Sequence, residues 1–116
     1  MTEAIGIQVK ILSDPEFAEA LRSEAQQSPG VIEIVSSAEE KNLTELGYHL
    51  GPGEWIGLIG IVRELPALAR IIWHTLTRSK AKEIVVQTPL RTVHIHNSKE
   101  LTEDEIKRIL KQLLKL

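Results

Sequence analysis

The chain has 116 residues, no cysteine, and 14 basic against 16 acidic side chains, which gives a formal net charge of -2. The length suits one domain, and the lack of cysteine excludes both a disulfide framework and a thiolate metal site. Balanced charge and a total of four aromatic residues disfavour nucleic acid as a partner. The first ten residues lack the basic region of a secretory signal peptide, so we expect a single cytoplasmic domain over residues 1–116.

The first 35 residues have the pattern of a strand, a helix and a second strand. Apolar side chains alternate with other residues at four positions, as in a strand with one buried face: Ile5, Ile7, Val9 and Ile11. Ser13 or Asp14 then predicts a helix N-cap, because Pro15 suits the first helical turn. A Pro-Gly pair ends this helix, and residues 31–35, of which four are β-branched, predict the second strand.

The middle of the chain changes from polar to strongly apolar. Residues 36–53 are rich in Ser and Glu and end in a Gly-Pro-Gly sequence, which predicts a long exposed loop. Residues 54–79 carry apolar side chains at almost every turn, so we expect a long apolar helix there. Pro66 would remove a hydrogen bond inside that helix, so we expect a kink at this residue, or a second helix that starts there.

The last third of the chain predicts a hairpin and a helix. Residues 82–87 and 91–96 are strand-forming runs separated by three residues, too few for a crossover, so they should pair as an antiparallel hairpin. Thr102 and Glu105 have the spacing of a capping box, which predicts the start of a helix. Apolar residues then recur at helical spacing, at Ile106, Ile109, Leu110, Leu113 and Leu114.

Together these elements predict an α+β domain. Their order is β-α-β-α-β-β-α, in which strands alternate with helices before the final hairpin. We therefore expect two layers, a mixed β-sheet with the helices on one face. The order of the strands in the sheet does not follow from the pattern.

Several of these features occur together in one known family. They are the opening strand before an Asp-Pro-Glu helix start, the Pro52-Gly53-Glu54 sequence followed by Gly57, the Ala- and Leu-rich stretch 66–73 that ends in Trp, and the closing hairpin and acidic-capped helix. In this order they resemble the effector-associated constant component family of bacteria. The resemblance implies an accessory protein of a conflict or signalling system, encoded beside an effector, with no catalytic residues. The sequence departs from the family at residues 88–90, where members often carry Gly, and in its long loop.

His94 and His96 form the clearest chemical pattern in the sequence. They are two residues apart on a predicted strand, so both rings point to the same face and could offer two ligands to a metal ion. A third ligand is needed, and His49, His74 or Glu83 would have to come close. The alternative is a solvated strand face on which histidine is an ordinary polar residue. We favour this alternative because two ligands alone bind a metal weakly.

Other patterns that carry chemistry are weaker. No nucleophile-elbow sequence surrounds any of the hydroxyl side chains that we considered, which are Ser36, Thr75, Ser79 and Ser98. The glycines at 51–60 lack the Lys-Ser/Thr pair of a phosphate-binding loop. A basic line over residues 63–82 could contact nucleic acid, but the balanced charge argues against this. Charges and a proline inside residues 54–79 disfavour a membrane span.

We therefore predict a non-enzymatic adaptor that acts by protein–protein interaction, with no catalytic residue, no metal and no cofactor. Its expected partner is an effector or regulator encoded nearby, and the excess of apolar surface also favours a homo-oligomer. The expected contact surfaces are the solvated sheet face, the long loop and the apolar helix, and the candidate interaction residues are Tyr48, Trp55, Ile59 and Trp73. The alternatives are a small metal-binding protein or enzyme that uses His94 and His96, and a membrane-surface protein.

Replacing Thr102 by Ala removes the predicted cap of the last helix. Because the hydroxyl then no longer accepts a hydrogen bond from the first turn, we expect the free energy of unfolding to fall by about 0.5–2 kcal/mol. Urea unfolding of Thr102→Ala beside the wild-type chain measures this loss. Thr102→Ser keeps a hydroxyl and serves as the control; an equal loss in both variants would show that the side chain does not act as a cap.

Overall fold

The computed structural model describes residues 6–40 and 55–114, which form one sheet and its helices. The strands are β1 (Ile7–Ser13), β2 (Ile32–Glu40), β3 (Trp55–Val62), β4 (Glu83–Gln87) and β5 (Thr92–His96). The helices are α1 (Pro15–Gln27), α2 (Leu65–Arg78) and α3 (Glu103–Lys111), and a 3-10 turn follows over Gln112–Leu114. The α+β class is confirmed, and the predicted elements occur in the predicted order, with β3 as an additional strand.

The prediction of a long apolar helix over residues 54–79 is wrong in its first half. Trp55–Val62 forms strand β3, and α2 begins only at Leu65. Both faces of β3 carry apolar side chains, so the sequence does not show the alternation of apolar and polar residues that indicates a half-buried strand. A short apolar run of this kind is compatible with a strand or with a helix. Pro66 lies in the first turn of α2, where a backbone N–H has no partner within the helix, so its missing N–H costs no hydrogen bond. The predicted second helix is therefore present, and it begins at Leu65, one residue before the predicted start at Pro66.

The predicted loop over residues 36–53 is also wrong for residues 36–40, which belong to strand β2. Strand β2 continues to Glu40, because it pairs with β3 on both sides of a bulge between Ile34 and Ser36. Without β3, nothing in the sequence indicated a partner for this polar stretch. The rest of the predicted loop, with Tyr48 and His49, lies outside the described residues.

The strand pairs of the sheet are all antiparallel among the described residues. The strand order is β2-β3-β1-β4-β5, with β1 in the centre. This corrects the expected mixed sheet: β3 lies between β1 and β2, so the two strands that α1 connects run parallel without pairing. The strand order of β1 to β4 is that of a split β-α-β, ferredoxin-like arrangement, here extended by β5 and α3.

The main core lies between one face of the sheet and the three described helices. Its sheet side includes Val9 and Ile11 of β1, and its largest fully buried helix residues are Phe17, Leu21, Leu68, Ile72, Leu76 and Ile106. All of these side chains belong to one cluster, so the prediction that the helices lie on one face is confirmed.

Three polar side chains hold the ends of the elements in place. Asp14 accepts a hydrogen bond at Oδ1 from the N–H of Phe17 at 2.7 Å, and Thr102 accepts one at Oγ1 from the N–H of Glu105 at 3.2 Å, as their sequence patterns predicted. Asn97, just after β5, donates from Nδ2 to the carbonyl oxygens of Leu76 at 3.1 Å and of Ala81 at 2.8 Å. These two bonds attach the end of β5 to the last turn of α2 and to the segment between α2 and β4.

The second face of the sheet carries none of the three described helices and is called here the helix-free face. The strand register assigns to it Gln8, Lys10, Leu12, Trp55, Gly57, Ile59, Ile61, Glu83, Val85, Gln87, Thr92, His94 and His96. Leu12 and Val85 are fully buried on this face and form a small cluster against which Trp55 packs. The central strand is therefore buried on both faces, at Ile11 on one and at Leu12 on the other.

Replacing Ile11 by Ala tests the central position of β1. The side chain is fully buried in the main core, so its loss leaves a cavity, and we expect the free energy of unfolding to fall by about 2–5 kcal/mol. Gln8→Ala, at an exposed position of the same strand, should change it by less than about 0.5 kcal/mol. Urea unfolding monitored by tryptophan fluorescence measures both values; similar losses in the two variants would contradict the register of β1.

Candidate functional site

Strands β4 and β5 bring Glu83, His94 and His96 together at one side of the helix-free face. Glu83 lies directly opposite His96 in the hairpin register, and His94 lies one step further along the same face. The alternation of β5 puts both imidazole rings on this face, as the sequence predicted. The register then adds Glu83, which was one of the three residues considered as a third ligand.

The hydrogen-bond pattern of the hairpin explains why these side chains are close. Asn97 N–H donates to the carbonyl oxygen of Lys82 at 2.8 Å, so these two residues form a hydrogen-bonded pair. In an antiparallel ladder, hydrogen-bonded pairs alternate with pairs that exchange no hydrogen bond, and the next pair is Glu83 and His96. Such a pair has its Cα atoms about 4.5 Å apart rather than about 5.5 Å, which favours contact between the side chains.

The donor atoms of the three residues converge. His94 Nδ1 lies 2.9 Å from Glu83 Oε1, and His96 Nε2 lies 4.0 Å from the same oxygen. The two imidazole rings are stacked, with their centroids 6.3 Å apart and their planes at 27°. One ligand atom from each residue lies within 4.8 Å of those of the other two, and within residues 6–40 and 55–114 no other set of His, Asp and Glu side chains converges in this way.

Exposure differs among the three residues. The side chain of Glu83 is 21% exposed, that of His94 is 38% exposed, and that of His96 is 72% exposed. Glu83 and His94 therefore lie nearer the body of the sheet, and His96 lies at its surface. The arrangement can act either as a hydrogen-bonded His–Glu pair with a neighbouring histidine, or as a set of three metal ligands that is open to solvent.

His74 does not belong to this cluster. His74 is exposed on α2, and its ring meets the edge of the Trp73 ring at a centroid distance of 5.4 Å. His49 lies outside the described residues. Of the two described candidates for a third ligand, Glu83 and His74, Glu83 is thus the one that the structure brings to His94 and His96.

A second feature of the helix-free face is apolar. Trp55, Ile59 and Ile61 are half-buried and follow one another along the same side of β3; we call them the β3 strip. A shallow cavity of about 280 Å³ borders the strip and is lined by Ile59, Gln8, Lys10, Gln87 and Pro89, among others. The sequence singled out Trp55 and Ile59, but it missed Ile61, because its position on the same face follows only from the strand.

Trp73, a further candidate for an interaction surface, does not lie on the same side of the sheet as Trp55 and Ile59. It lies on α2, on the other side of the sheet, where it is half-buried against the main core. Its ring borders a separate cavity of about 510 Å³ beside Asn97, Lys99 and Leu101. The long helix expected over residues 54–79 had placed the two tryptophans on one element, whereas β3 and α2 separate them.

The hydroxyl side chains considered as nucleophiles occupy different environments. Thr75 is buried in α2 and donates from Oγ1 to the carbonyl oxygen of Ile71 at 2.7 Å. Ser79 is buried at the end of α2, and its Oγ has no hydrogen-bond partner within the described part of the chain. Ser36 and Ser98 are exposed, on β2 and after β5 respectively.

The arginines of the predicted basic line are paired with acidic side chains. The N···O distances are 3.2 Å for Arg63–Glu33, 3.6 Å for Arg70–Glu103 and 2.8 Å for Arg78–Glu24, and the last two pairs each join two helices. Exposed pairs of this kind contribute little to stability, about 0–1 kcal/mol. They do reduce the positive charge that a nucleic-acid surface would need.

None of the described helices is both long and apolar enough to cross a membrane. The chain was also compared with protein-family models, with curated proteins and with solved structures, and none of the three comparisons finds a match. The resemblance to the effector-associated constant component family therefore stays a prediction.

Replacing Glu83 by Gln tests whether the His–Glu pair serves stability. The pair is partly exposed, so we expect the free energy of unfolding to change by less than about 1 kcal/mol. His96→Gln, at the most exposed of the three positions, should be equally well tolerated. Urea unfolding measures both variants; a loss of several kcal/mol in Glu83→Gln would instead identify a structural role for this carboxylate.

Proposed function

We propose that this chain is a non-enzymatic accessory domain that binds a protein partner through the β3 strip. The observation that supports the proposal is that Trp55, Ile59 and Ile61 stay partly exposed on the face of the sheet opposite the three described helices. Partly exposed apolar side chains in one row offer hydrophobic area that a partner can remove from water.

The surroundings of the strip have the composition of a protein interface. Trp55 packs against the fully buried Leu12 and Val85, and polar or charged side chains such as Gln8, Lys10 and Gln87 border the strip. Protein interfaces commonly have an apolar centre and a polar rim. Trp55 is of the residue type that most often contributes a large share of binding energy in such interfaces.

The size and polarity of this surface favour a reversible complex with a different protein. Obligate homodimers bury large and more apolar faces, whereas here three half-buried apolar side chains are flanked closely by a lysine and two glutamines. The resemblance to the effector-associated constant component family supports the same choice, because it implies an effector encoded beside this chain. The proposed partner is that effector or a regulator of it.

Ile59→Glu tests the proposed interface without an expected cost in folding. Ile59 lies opposite Lys10 in the β1–β3 register, so a glutamate there gains an opposite charge across the strands. Against a partner, the same carboxylate would lose its hydration at a surface that is built to bind an apolar side chain. We expect the dissociation constant for the product of the neighbouring effector gene, measured by isothermal titration calorimetry, to rise at least about tenfold, or 1.4 kcal/mol.

Leu90→Glu is the matched control, because it makes the same change of residue type at the tip of the β4–β5 hairpin. Leu90 is 72% exposed and is not part of the β3 strip. Its variant should bind like the wild-type chain. Equal affinity of wild type and Ile59→Glu would contradict the proposal, and so would light scattering that shows a stable homodimer which Ile59→Glu dissociates.

A further inference from the structure

We propose that Glu83, His94 and His96 form a binding site for a divalent transition-metal ion, with Zn(II) as the best match. The inference rests on the cluster of donor atoms in the β4–β5 hairpin. It does not depend on the protein partner proposed for the β3 strip, because no residue is shared between the two sites.

The spacing of the donor atoms is close to that of a zinc site. Ligands bound at about 2.0–2.1 Å in a tetrahedral arrangement lie roughly 3.3–3.4 Å from one another. Glu83 Oε1 lies 2.9 Å from His94 Nδ1 and 4.0 Å from His96 Nε2, so one distance is shorter and the other longer than the spacing of ligands around zinc. The three ligand atoms all lie within 4.8 Å of one another, so binding of one ion requires rotations of the side chains that draw them together.

The backbone holds the ligands in place, while the side chains keep the freedom to adjust. All three residues lie on paired strands, and the two bonds that Asn97 donates to Leu76 and Ala81 attach the end of β5 to the helix layer. His96 is 72% exposed, so its ring can turn toward an ion without displacing a core residue. Ligands on rigid strands lose little conformational entropy when they bind.

The chemistry of the donors selects the class of ion. Two imidazole nitrogens and one carboxylate suit Zn(II), Ni(II) or Cu(II), whereas Mg(II) and Ca(II) prefer sites made of oxygen ligands. The open side of the cluster leaves room for water as a fourth ligand, which is the composition of many non-structural zinc sites.

Calorimetric titration of the untagged full chain with Zn(II) tests the site, with Mg(II) as the control ion. A polyhistidine tag must be absent, because it would itself bind the metal. We expect binding of one Zn(II) per chain and no measurable binding of Mg(II). In His94→Gln, His96→Gln and Glu83→Gln, the dissociation constant for Zn(II) should rise at least about tenfold, since each variant removes one of three ligands.

His74→Gln is the matched control, because it removes an exposed histidine that lies on α2 and outside the cluster. This variant should bind Zn(II) like the wild-type chain. The proposal is overturned if the wild-type chain does not bind Zn(II), or if the affinity is unchanged in His94→Gln and His96→Gln. An equal loss in His74→Gln would also overturn it, because binding would then reflect scattered surface histidines. Urea unfolding of each metal-free variant checks that the fold is retained.

Discussion

The fold depends on a central strand that is paired on both edges and, at Ile11 and Leu12, is buried on both faces. Ile11 and Leu12 follow each other in β1, point to opposite faces of the sheet, and are both fully buried. The helix layer covers the Ile11 side, and β3 and β4 flank the strand. Because β4 is held against β1 by the pairing of Leu12 with Val85, the position of the whole β4–β5 hairpin follows from this one strand.

This arrangement places the two proposed sites on a single face. A row of directly paired residues crosses the sheet from Gly57 through Leu12 and Val85 to His94. Neighbouring strands are about 4.7–4.9 Å apart, so the β3 strip and the histidines lie about three strand spacings from each other. The buried side chains of Leu12 and Val85 lie between them and keep the two ends of the row in a fixed relation. Binding of a metal cation by Glu83, His94 and His96 would therefore change the charge of the same surface that a partner of the β3 strip contacts.

Much of the local structure followed from sequence patterns that act over a few residues. Asp14 and Thr102 cap their helices as predicted, since a cap requires only a side-chain oxygen beside the first turn. The shared face of His94 and His96 followed from the alternation of a strand. Strand β3 was not predicted, because it is apolar on both faces and lacks the alternation of a half-buried strand. The predicted β2 was too short, because its polar second half is identified as a strand only by its pairing with β3.

The sequence by itself determined the α+β class, the helix caps, the hairpin and the common face of the two histidines, because each depends on contacts between residues close in the chain. Only the tertiary structure decided the strand order, the separation of Trp55 from Trp73, and the approach of Glu83 rather than His74 to the histidines. These features depend on which strands pair and in which register. Pairing between strands that are distant in the chain depends on which faces of the sheet become buried, and a sequence pattern over a few residues carries no information on this.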